Sequence, residues 1–565
     1  MNQRRNHYVK TRLNLFAAVV LMASATFSRA VELKFAHIFS DHAILQRDQP
    51  VPVWGWADAG AVVTVEFAGQ TKNATADASG KWLVKLDALR ASVEPRTLTA
   101  HTTMTAMVSD VLVGEVWLAS GQSNMGVPLS SAHNAAMELP KTDDSLLRFY
   151  TVSKSTAAEP QPDVTGKWEA STPVTAKNYS AVAYFFAREL RAKLNCPVAV
   201  LHSSWGGTPG QAWVSMDALR KEPSLARHVQ KYDEALVAYR DVQAHPEKVA
   251  NYKDELKRWQ TEVAPAFNAA MKEYNAKKST GPKPTPARPE PVNPDPMAIP
   301  SPSSRPGTPS VIFNGMIAPL APYALRGAIW YQGEANGSAG MEYRSLLPCL
   351  IGDWRTHWSQ GDFTFLIVQL PGWDHDTKPA EQHDWPWLRE AQLLTLKNVP
   401  KTGLAVGIDI GDPHDVHPKD KLDIGVRLAL AARKVAYSEN VVHSGPIFQE
   451  IKVEGAAVRV KFAETGSALM IGQAPWRAEG VEPLPSDKLI GFTIAGDDRR
   501  WFAANAKIED DCVVVTSPEV PKPVAVRYGW ANAPRCNLYN KEGLPASPFR
   551  TDEWSISGAA KPGVK

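Results

Sequence analysis

Cysteine, net charge and long apolar runs are all scarce in this chain. Its 565 residues include 4 cysteines, too few for a scaffold built on disulfides. Its 62 basic and 59 acidic side chains leave a formal net charge of +3. This near balance argues against a nucleic-acid-binding protein, which needs a basic surface. No stretch after residue 30 is apolar enough to span a membrane. The overall composition is that of a soluble globular protein, with a length that allows about three or four domains.

The four cysteines fall into two pairs with different expectations. Cys512 and Cys536 lie in one late, β-rich segment and could form a disulfide with each other. Cys196 and Cys349 each lie beside a proline and are expected to be buried, inert thiols.

Residues 1–30 have the pattern of an export signal. A basic front precedes an apolar run from Leu13 to Ala25, which is shorter than the roughly 20 residues that a membrane span requires. Ser28 and Ala30 provide small residues for a cleavage before Val31. The sequence therefore predicts an exported protein, periplasmic or extracellular, with no membrane anchor after cleavage.

The sequence pattern of the remaining chain is β-rich at both ends and α/β in the centre. Five buried apolar runs, separated by helical segments, predict a parallel α/β sheet: 111–120, 197–202, 326–331, 363–370 and 403–410. Short alternating strands on either side predict two β-sandwich-like domains. The predicted boundaries are 1–30 for the signal peptide, 31–107 for the first sandwich, 108–215 and 311–440 for the two parts of the central domain, 216–310 for an insertion, and 441–565 for the second sandwich.

The insertion at 216–310 combines a helical part with a proline-rich part. Apolar residues spaced by three and four over 216–280 predict a helical hairpin, with Pro265 as the expected kink. Residues 281–310 hold 11 of the 44 prolines, which favours an extended connector over a folded unit.

Polar and small residues follow four of the five predicted parallel strands. Ligands of open α/β sheets bind at the carboxyl ends of the strands, so these loops are expected to form one site. The four segments are 120–125 (Ser-Gly-Gln-Ser-Asn-Met), 202–208 (His-Ser-Ser-Trp-Gly-Gly-Thr), 331–336 (Tyr-Gln-Gly-Glu-Ala-Asn) and 409–418 (Asp-Ile-Gly-Asp-Pro-His-Asp-Val-His-Pro).

These loops contain the groups that acyl transfer requires. Ser123 follows a strand and a glycine, which suits an exposed nucleophile, and His417 could accept its proton. Either Asp415 or Asp412 could orient the imidazole. The residue two after Ser123 is Met125, so the chain lacks the G-x-S-x-G elbow of α/β-hydrolases. The donors available to an oxyanion are the N–H groups of Ser123 and Gly207 and the side-chain amide of Asn336.

The same motifs resemble the sialate O-acetylesterase family, within the SGNH hydrolases. The resemblance is carried by the four loop motifs and by the flanking segments at 39–47, 528–534 and 544–552. It covers nearly all of the chain after the signal, except the insertion. Ser123, Gly207, Asn336 and His417 match, in order, the four residues for which that superfamily is named.

The resemblance implies a fold, an activity and a substrate class. The implied fold is an SGNH-hydrolase-like parallel sheet with helices on both faces, flanked by β-sandwich domains. The implied activity is that of a serine esterase, a carboxylic ester hydrolase that removes acetyl groups from carbohydrates without a metal or organic cofactor. The implied substrate is an O-acetylated sugar, either sialic acid or a plant polysaccharide such as acetylated xylan, and the motifs do not separate the two. Oligomeric state is not implied.

The acidic residue expected to complete a Ser–His–Asp triad departs from the family pattern in its position. SGNH enzymes carry it three residues before the histidine, where this chain has His414. Asp415 is two residues before His417 and Asp412 is five before; Asp415 is slightly favoured. A Ser–His dyad assisted by Gln332 or Glu334 is the alternative.

Substrate contacts are expected from loop amides, a carboxylate and tryptophan. The chain has 18 tryptophans, several beside the site loops, and an indole face suits the C–H face of a sugar ring. Trp385 and Trp387 are further tryptophan candidates for this role. The predicted substrate-binding residues are Gln122, Gln332, Glu334 and Trp373.

Two other classes of function compete with the esterase. The acidic and histidine residues of 409–417 are types that bind metal ions, which would suit a metal-dependent hydrolase. A non-catalytic glycan-binding protein would use the two sandwiches as sugar-binding modules. The complete set of Ser, Gly, Asn and His speaks against that second alternative.

Overall fold

The structure is a computed structural model that describes residues 33–245, 254, 257–276, 301–374 and 384–554. The predicted signal peptide and residues 281–300 of the predicted proline-rich connector lie outside these ranges.

The amino-terminal region consists of β-strands, three of which form a sheet of their own while the others belong to an 11-stranded sheet. The order β1-β3-β6 forms one sheet, and β4, β5, β7 and β8 pair in antiparallel fashion, with β2 parallel to β8. The short strands expected in this region are present, among them strands at 51–56, 62–67 and 81–86. The strands are β1 (Lys34–Phe35), β2 (Ile44–Gln46), β3 (Val51–Trp56), β4 (Val62–Phe67), β5 (Gln70–Thr75), β6 (Lys81–Leu86), β7 (Ser92–His101) and β8 (Thr105–Gly121).

Strand β8 joins this region to the central sheet without a break. Its first half pairs with β7, and its second half lies between two parallel neighbours of the central sheet. Asp110, with φ of +53°, bends the strand between the two halves. The predicted boundary at 107/108 therefore falls inside a continuous strand, close to that bend.

The central sheet has the order β10-β9-β11-β8-β12-β13-β14. All of its neighbours are parallel except β10, which pairs antiparallel with β9 at one edge. All five predicted parallel strands are present, and β9 adds a sixth that the sequence did not predict. The strands are β9 (Asp144–Val152), β10 (Gly166–Ser171), β11 (Val198–Ser204), β12 (Gly327–Tyr331), β13 (Thr364–Val368) and β14 (Thr402–Ala405).

Two tryptophans show that helices cover both faces of the central sheet. Trp117 of β8 lies beside Gly327 of β12, so Trp330, three residues further along β12, points to the opposite face. Trp117 packs on Phe186 with ring centroids 5.0 Å apart, and Trp330 packs on Trp354 at 5.7 Å. These partners lie on α4 (Ala181–Leu194) and α8 (Gly340–Trp358). The helices are α1 (Ser123–Gly126), α2 (Ala135–Glu138), α3 (Pro173–Ala176), α4 (Ala181–Leu194), α5 (Met216–Lys221), α6 (Ala226–Ala244), α7 (Ala264–Ala276), α8 (Gly340–Trp358), α9 (Trp385–Asn398) and α10 (Leu422–Val435).

The described residues of the insertion between 216 and 276 are mainly helical, as predicted, whereas residues 301–310 form turns. Helix α6 is followed, after a gap in the description, by helical residues 257–262 and then by α7. The helix breaks at Val263, immediately before Pro265 enters the first turn of α7. His228 of α6 bonds Glu342 of α8 through Nε2 and Oε1 at 2.7 Å, which fixes the insertion on the central domain. No helix in the described ranges is both long and apolar enough to cross a membrane.

The carboxyl-terminal region is again built of β-strands. It forms sheets of order β15-β16-β21-β20 and β19-β18-β22-β24, with β17 paired to β23. Cys512 and Cys536 are free thiols here, so the disulfide considered between them is not formed. The strands are β15 (Ile447–Glu454), β16 (Ala457–Ala463), β17 (Leu469–Ile471), β18 (Phe492–Ala495), β19 (Trp501–Ala503), β20 (Asn505–Glu509), β21 (Cys512–Thr516), β22 (Ala525–Tyr528), β23 (Leu538–Asn540) and β24 (Phe549–Arg550).

Candidate active site

Ser123 lies on a tight turn at the carboxyl end of β8. The preceding Gly121 has φ of +137°, and a Cβ at this position would overlap the carbonyl oxygen of Tyr331 on β12. Only glycine allows this approach. The backbone N–H of Gln122 donates to the same oxygen at 3.0 Å, so β12 holds the turn from one side. The chain then enters α1 and leaves Ser123 partly exposed.

His417 lies in the long connection between β14 and α10, residues 406–421, here called the His417 loop. Asp415 Oδ1 accepts the backbone N–H of His417 at 2.9 Å and lies 3.6 Å from its Nδ1. Asp412 Oδ1 instead accepts the backbone N–H of His414 at 2.9 Å. Both aspartates form the local turn typical of Asx residues. Of the two, Asp415 is the one that an ion-pair contact joins to the imidazole.

Ser123 and His417 line one cavity of about 530 Å3. Asp415 also lines it, which brings together three of the predicted catalytic side chains. The part of the chain that the structure describes contains no hydrogen bond between Ser123 Oγ and the ring of His417. The lining residues are Ser123, Gly126, Val127, Pro128, Ser131, Thr151, Val152, Lys154, His202, Ser204, Gly206, Asp415, His417 and Lys419.

A second serine–histidine pair occupies the same cavity. His202 Nε2 and Ser204 Oγ, two residues apart on β11, are hydrogen-bonded at 2.8 Å. Burial, together with the nearby charge of Lys154, lowers the pKa of His202 to about 4. An imidazole with so low a pKa is a weak general base near neutral pH. His202 and Ser204 therefore suit a hydrogen-bonding wall of the cavity better than a nucleophile and its base.

The loop that follows β11 brings Gly206 against the serine, with Gly207 next to it in the chain. A Cβ on Gly206 would lie 3.3 Å from Cβ of Ser123, and Gly207 has φ of +74°. Both glycines are exposed, so the backbone here is open to a ligand.

Asn336 is buried in the loop after β12 and contacts the chain just beyond these glycines. Its Oδ1 accepts from the backbone N–H of Gly210 at 2.8 Å and from Nε2 of Gln332 at 2.7 Å. Its Nδ2 donates to Gln211 at 3.2 Å, which leaves its second amide hydrogen uncommitted among the described residues. Asn336 is not among the residues that line the cavity.

The four residues predicted to bind substrate contact other parts of the protein and do not line the cavity. Gln122 Oε1 accepts the N–H of Ala335 at 3.1 Å. Gln332 is fully buried and bonds Asn336, Thr208 and Tyr343. Such amides fix the loops to one another, because a buried amide is satisfied by fixed partners.

Trp373 packs on another tryptophan. Its ring centroid is 5.3 Å from that of Trp385, and its backbone N–H donates to Asn532. Trp385 and Trp387 are themselves buried. Trp205 is the tryptophan next to the cavity: it precedes Gly206, and Lys154 Nζ lies 5.8 Å from its ring centroid.

Glu334, also predicted to bind substrate, belongs to a polar network beneath Ser123. Its Oε1 accepts from Nδ2 of Asn124 at 2.5 Å, and its Oε2 is buried without a hydrogen-bond partner among the described residues. Burial raises the pKa of Glu334, against the lowering effect of the Asn124 bond. The Lys421 ammonium, fully buried, donates to Oδ1 of Asn124 at 2.5 Å, and burial lowers its pKa to about 7.

The carboxylate of Asp409 is held by protein donors. Arg427 donates two hydrogen bonds to it at 2.6 and 2.7 Å, and the Tyr539 hydroxyl donates a third at 2.9 Å. Within the described ranges, no group of three or more His, Cys, Asp and Glu residues has the geometry to hold a metal ion. The residues considered for a metal-dependent hydrolase are thus not gathered around one point in this part of the chain.

Several residues of the site were missed by sequence reasoning. Lys154 and Lys419 line the cavity, and Asn124 and Lys421 lie beneath it. Lys421 follows Lys419 and Asp420, so its sequence context is that of a solvated turn. Only the position of Asn124, directly after the serine, could have drawn attention to it.

Comparisons with known proteins extend over almost the whole chain. Sialate O-acetylesterase of Mus musculus is 29% identical over 94% of this chain and 97% of its own length. That of Homo sapiens is 27% identical over 95% of each chain. The crystal structure of a carbohydrate acetylesterase from Xanthomonas citri is 35% identical, with a TM-score of 0.72 over 92% of this chain and 100% of that one. No family model matches the chain.

The fold and these likenesses define a carboxylic ester hydrolase. The chain belongs to the sialate O-acetylesterase family.

Proposed function

We propose that the protein is a serine esterase that removes O-acetyl groups from carbohydrates, with Ser123 as its nucleophile. The observation that carries this proposal is the single cavity lined by Ser123, His417 and Asp415, at the carboxyl edge of the central sheet. The names of its relatives, sialate O-acetylesterase and carbohydrate acetylesterase, support the same reaction on a sugar. The order of the Ser, Gly, Asn and His positions supports an SGNH-type hydrolase.

In the proposed reaction His417 Nε2 takes the Ser123 hydroxyl proton as Oγ attacks the acetyl carbonyl carbon. The bond from that carbon to the sugar oxygen then breaks, and His417 returns the proton to the departing alcohol. Water attacks the acetyl-Ser123 carbonyl carbon and gives one proton to His417, which passes it to Ser123 Oγ as the bond from that carbon to Oγ breaks. The product is acetic acid, which ionises to acetate and releases the second water proton to solvent. Asp415, 3.6 Å from Nδ1, stabilises the imidazolium formed in each half of the cycle.

The oxyanion of both steps is proposed to rest on three N–H donors. The backbone N–H groups of Ser123 and Gly207 come from the two loops that meet at the nucleophile. Asn336 contributes its second amide hydrogen, since its first donates to Gln211. Gln332 then acts by orienting Asn336 and not by binding the sugar.

Acetate release from a substrate panel tests the proposed function. Purified protein is to be compared on O-acetylated sialic acid, acetylated xylan oligomers and acetylated glucose. Acetate from at least one of the three is expected, and the ranking separates a sialic-acid substrate from a plant-polysaccharide substrate. Absence of acetate release from all three would refute the proposal.

Two lysines in the cavity favour the acidic sugar. Lys154 and Lys419 line it, with Asp415 as the acidic residue among the lining side chains. For an O-acetylated sialic acid we expect Lys154→Met to raise KM about tenfold, because a charge-assisted hydrogen bond to the substrate carboxylate is lost. For an acetylated xylan oligomer, which is neutral, the same variant should change KM less than about twofold.

Lys167→Met serves as the matched control for that comparison, because Lys167 is exposed on β10 and pairs with Glu169. Equal changes in KM for the two substrates in Lys154→Met would contradict carboxylate recognition by Lys154.

The acid of the triad is tested by two conservative substitutions. Asp415→Asn and Asp412→Asn each keep the oxygen that accepts a backbone N–H and remove only the charge. We expect Asp415→Asn to lower kcat/KM on a chromogenic acetate ester about tenfold to hundredfold, since the imidazolium loses its counter-charge. Asp412→Asn should cost less than about threefold. The opposite order would assign the role to Asp412.

Export remains a proposal from residues 1–30, which lie outside the described ranges. Cleavage before Val31 would remove the apolar run and leave the described chain. Mass measurement of the protein recovered from a secretion host tests this directly, with a mature amino terminus at Val31 as the expected result.

A further inference from the structure

We infer that Asn124 is a positioning residue that holds the His417 loop in register with Ser123. The inference rests on the proposed function, because it assumes that His417 acts on Ser123. Its basis is one buried amide in the serine turn that hydrogen-bonds two other segments, the loop after β12 and, at two points, the His417 loop.

The hydrogen bonds of Asn124 have an unambiguous direction. Nδ2 donates to Glu334 Oε1 at 2.5 Å and to the backbone carbonyl of Val416 at 2.9 Å. Oδ1 accepts from Lys421 Nζ at 2.5 Å. The Val416 carbonyl can only accept, so Nδ2 must face it and Oδ1 faces Lys421 Nζ, which gives the amide one satisfied orientation. Asn124 is fully buried, which makes each of these bonds costly to lose.

The bond to Val416 is the one that reaches the chemistry. Val416 immediately precedes His417, and Asn124 immediately follows Ser123. A single side chain therefore connects the backbone beside the nucleophile to the backbone beside the base. Small errors in such geometry are expensive for catalysis, since a shift of about 1 Å costs about a hundredfold in rate.

Glu334 and Lys421 support the amide from its two ends. The Glu334 carboxyl group holds Nδ2, and the Lys421 ammonium, whose Nζ lies 5.2 Å from the Tyr331 ring centroid, holds Oδ1. This accounts for two charged groups placed beneath the cavity that do not line it. The role assigned to Glu334 is thus support of Asn124 and not contact with the sugar.

The isosteric variant Asn124→Asp tests the inference, because it replaces the donor Nδ2 with an acceptor at the same position. We expect kcat on a chromogenic acetate ester to fall about a hundredfold, with KM changed less than about twofold. Asn537→Asp is the matched control: Asn537 is also buried, and its Nδ2 donates to two backbone carbonyls, of Pro485 and Lys488. The control should lose thermal stability and keep kcat.

A double variant separates positioning from stability. In Asn124→Asp combined with Glu334→Gln, the amide introduced at position 334 donates to the carboxylate introduced at position 124. The hydrogen bond between positions 124 and 334 is thereby restored with donor and acceptor exchanged, while the Val416 carbonyl still lacks a donor. The inference predicts that the melting temperature recovers and kcat does not. Recovery of kcat together with stability would assign Asn124 a merely structural role and overturn the inference.

The His417→Ala background gives a second criterion. If Asn124 acts through His417, Asn124→Asp should lower the residual rate less than about twofold once the imidazole is absent. An undiminished hundredfold effect there would overturn the inference. Full kcat in Asn124→Asp alongside an inactive Ser123→Ala would refute the role of Asn124 and leave the proposed function standing. An active Ser123→Ala would refute both.

Discussion

Replacing Ser123 by alanine is expected to lower kcat for hydrolysis of a chromogenic acetate ester by about ten-thousand-fold or more. The hydroxyl is the atom that bonds the acetyl group, and it lines the same cavity as His417, its proposed general base. Ser123 is only partly buried and its Oγ holds no protein hydrogen bond among the described residues, so the melting temperature should change by less than about 2 °C.

Ser204→Ala is the control, because Ser204 lines the same cavity and does bond a histidine. Burial keeps the pKa of that histidine, His202, at about 4, so Ser204→Ala should retain a rate far above that of Ser123→Ala. A large loss in Ser204→Ala with activity preserved in Ser123→Ala would make the second pair the catalytic one.

Replacing His417 by alanine is expected to lower kcat about a thousandfold to ten-thousand-fold, because Ser123 then loses its general base. The variant leaves space in a cavity of about 530 Å3, and added imidazole should restore part of the rate. Rescue that increases with pH, as imidazole becomes deprotonated, would identify the missing group as a base.

His414→Ala is the matched control for His417→Ala. His414 is three residues earlier in the same loop and exposed, and it does not line the cavity of Ser123. A rate within about twofold of the parent protein is expected, as for a surface substitution. Equal losses in both variants would show that disturbance of the loop, and not loss of a base, explains the effect.

Regular elements with simple patterns were predictable from the sequence. Strands β8, β11, β12, β13 and β14 lie within or overlap the five apolar runs from which the parallel sheet was predicted. Strand β9 was missed because Arg148 interrupts its apolar run. The structure buries Arg148 by pairing its guanidinium with carbonyls of His42 and Asp110. A charge satisfied by distant backbone cannot be distinguished from a solvated one in sequence.

The domain boundary illustrates a second limit. The change from a β-rich pattern to an α/β pattern, predicted at 107/108, lies close to Asp110, which adopts a left-handed conformation. Strand β8 runs through this bend without a break. The first half of β8 pairs with β7 and the second half pairs with β11. A local sequence pattern does not reveal this change of partner strand.

The site was predictable where a motif follows a strand, and not where contacts are long-range. Ser123, His417 and Asp415 were named from their loops and share one cavity. Gln122, Gln332 and Glu334 come from the same motifs but bond neighbouring loops. Residue type and position in the sequence suit a cavity-lining residue and a loop-bonding residue equally, and only the folded structure distinguishes the two. Lys154 and Lys419 line the cavity through folding alone and carry no local signal.

The most direct test of the proposed mechanism is to identify the residue that carries the acetyl group during turnover. The protein is to be mixed with an activated acetate ester, quenched rapidly in acid, digested and analysed by peptide mass spectrometry. We expect an acetyl group on Ser123, which forms and disappears at the rate of turnover. An acetyl group on Ser204, or turnover with no acetylated serine at any quench time, would contradict the mechanism.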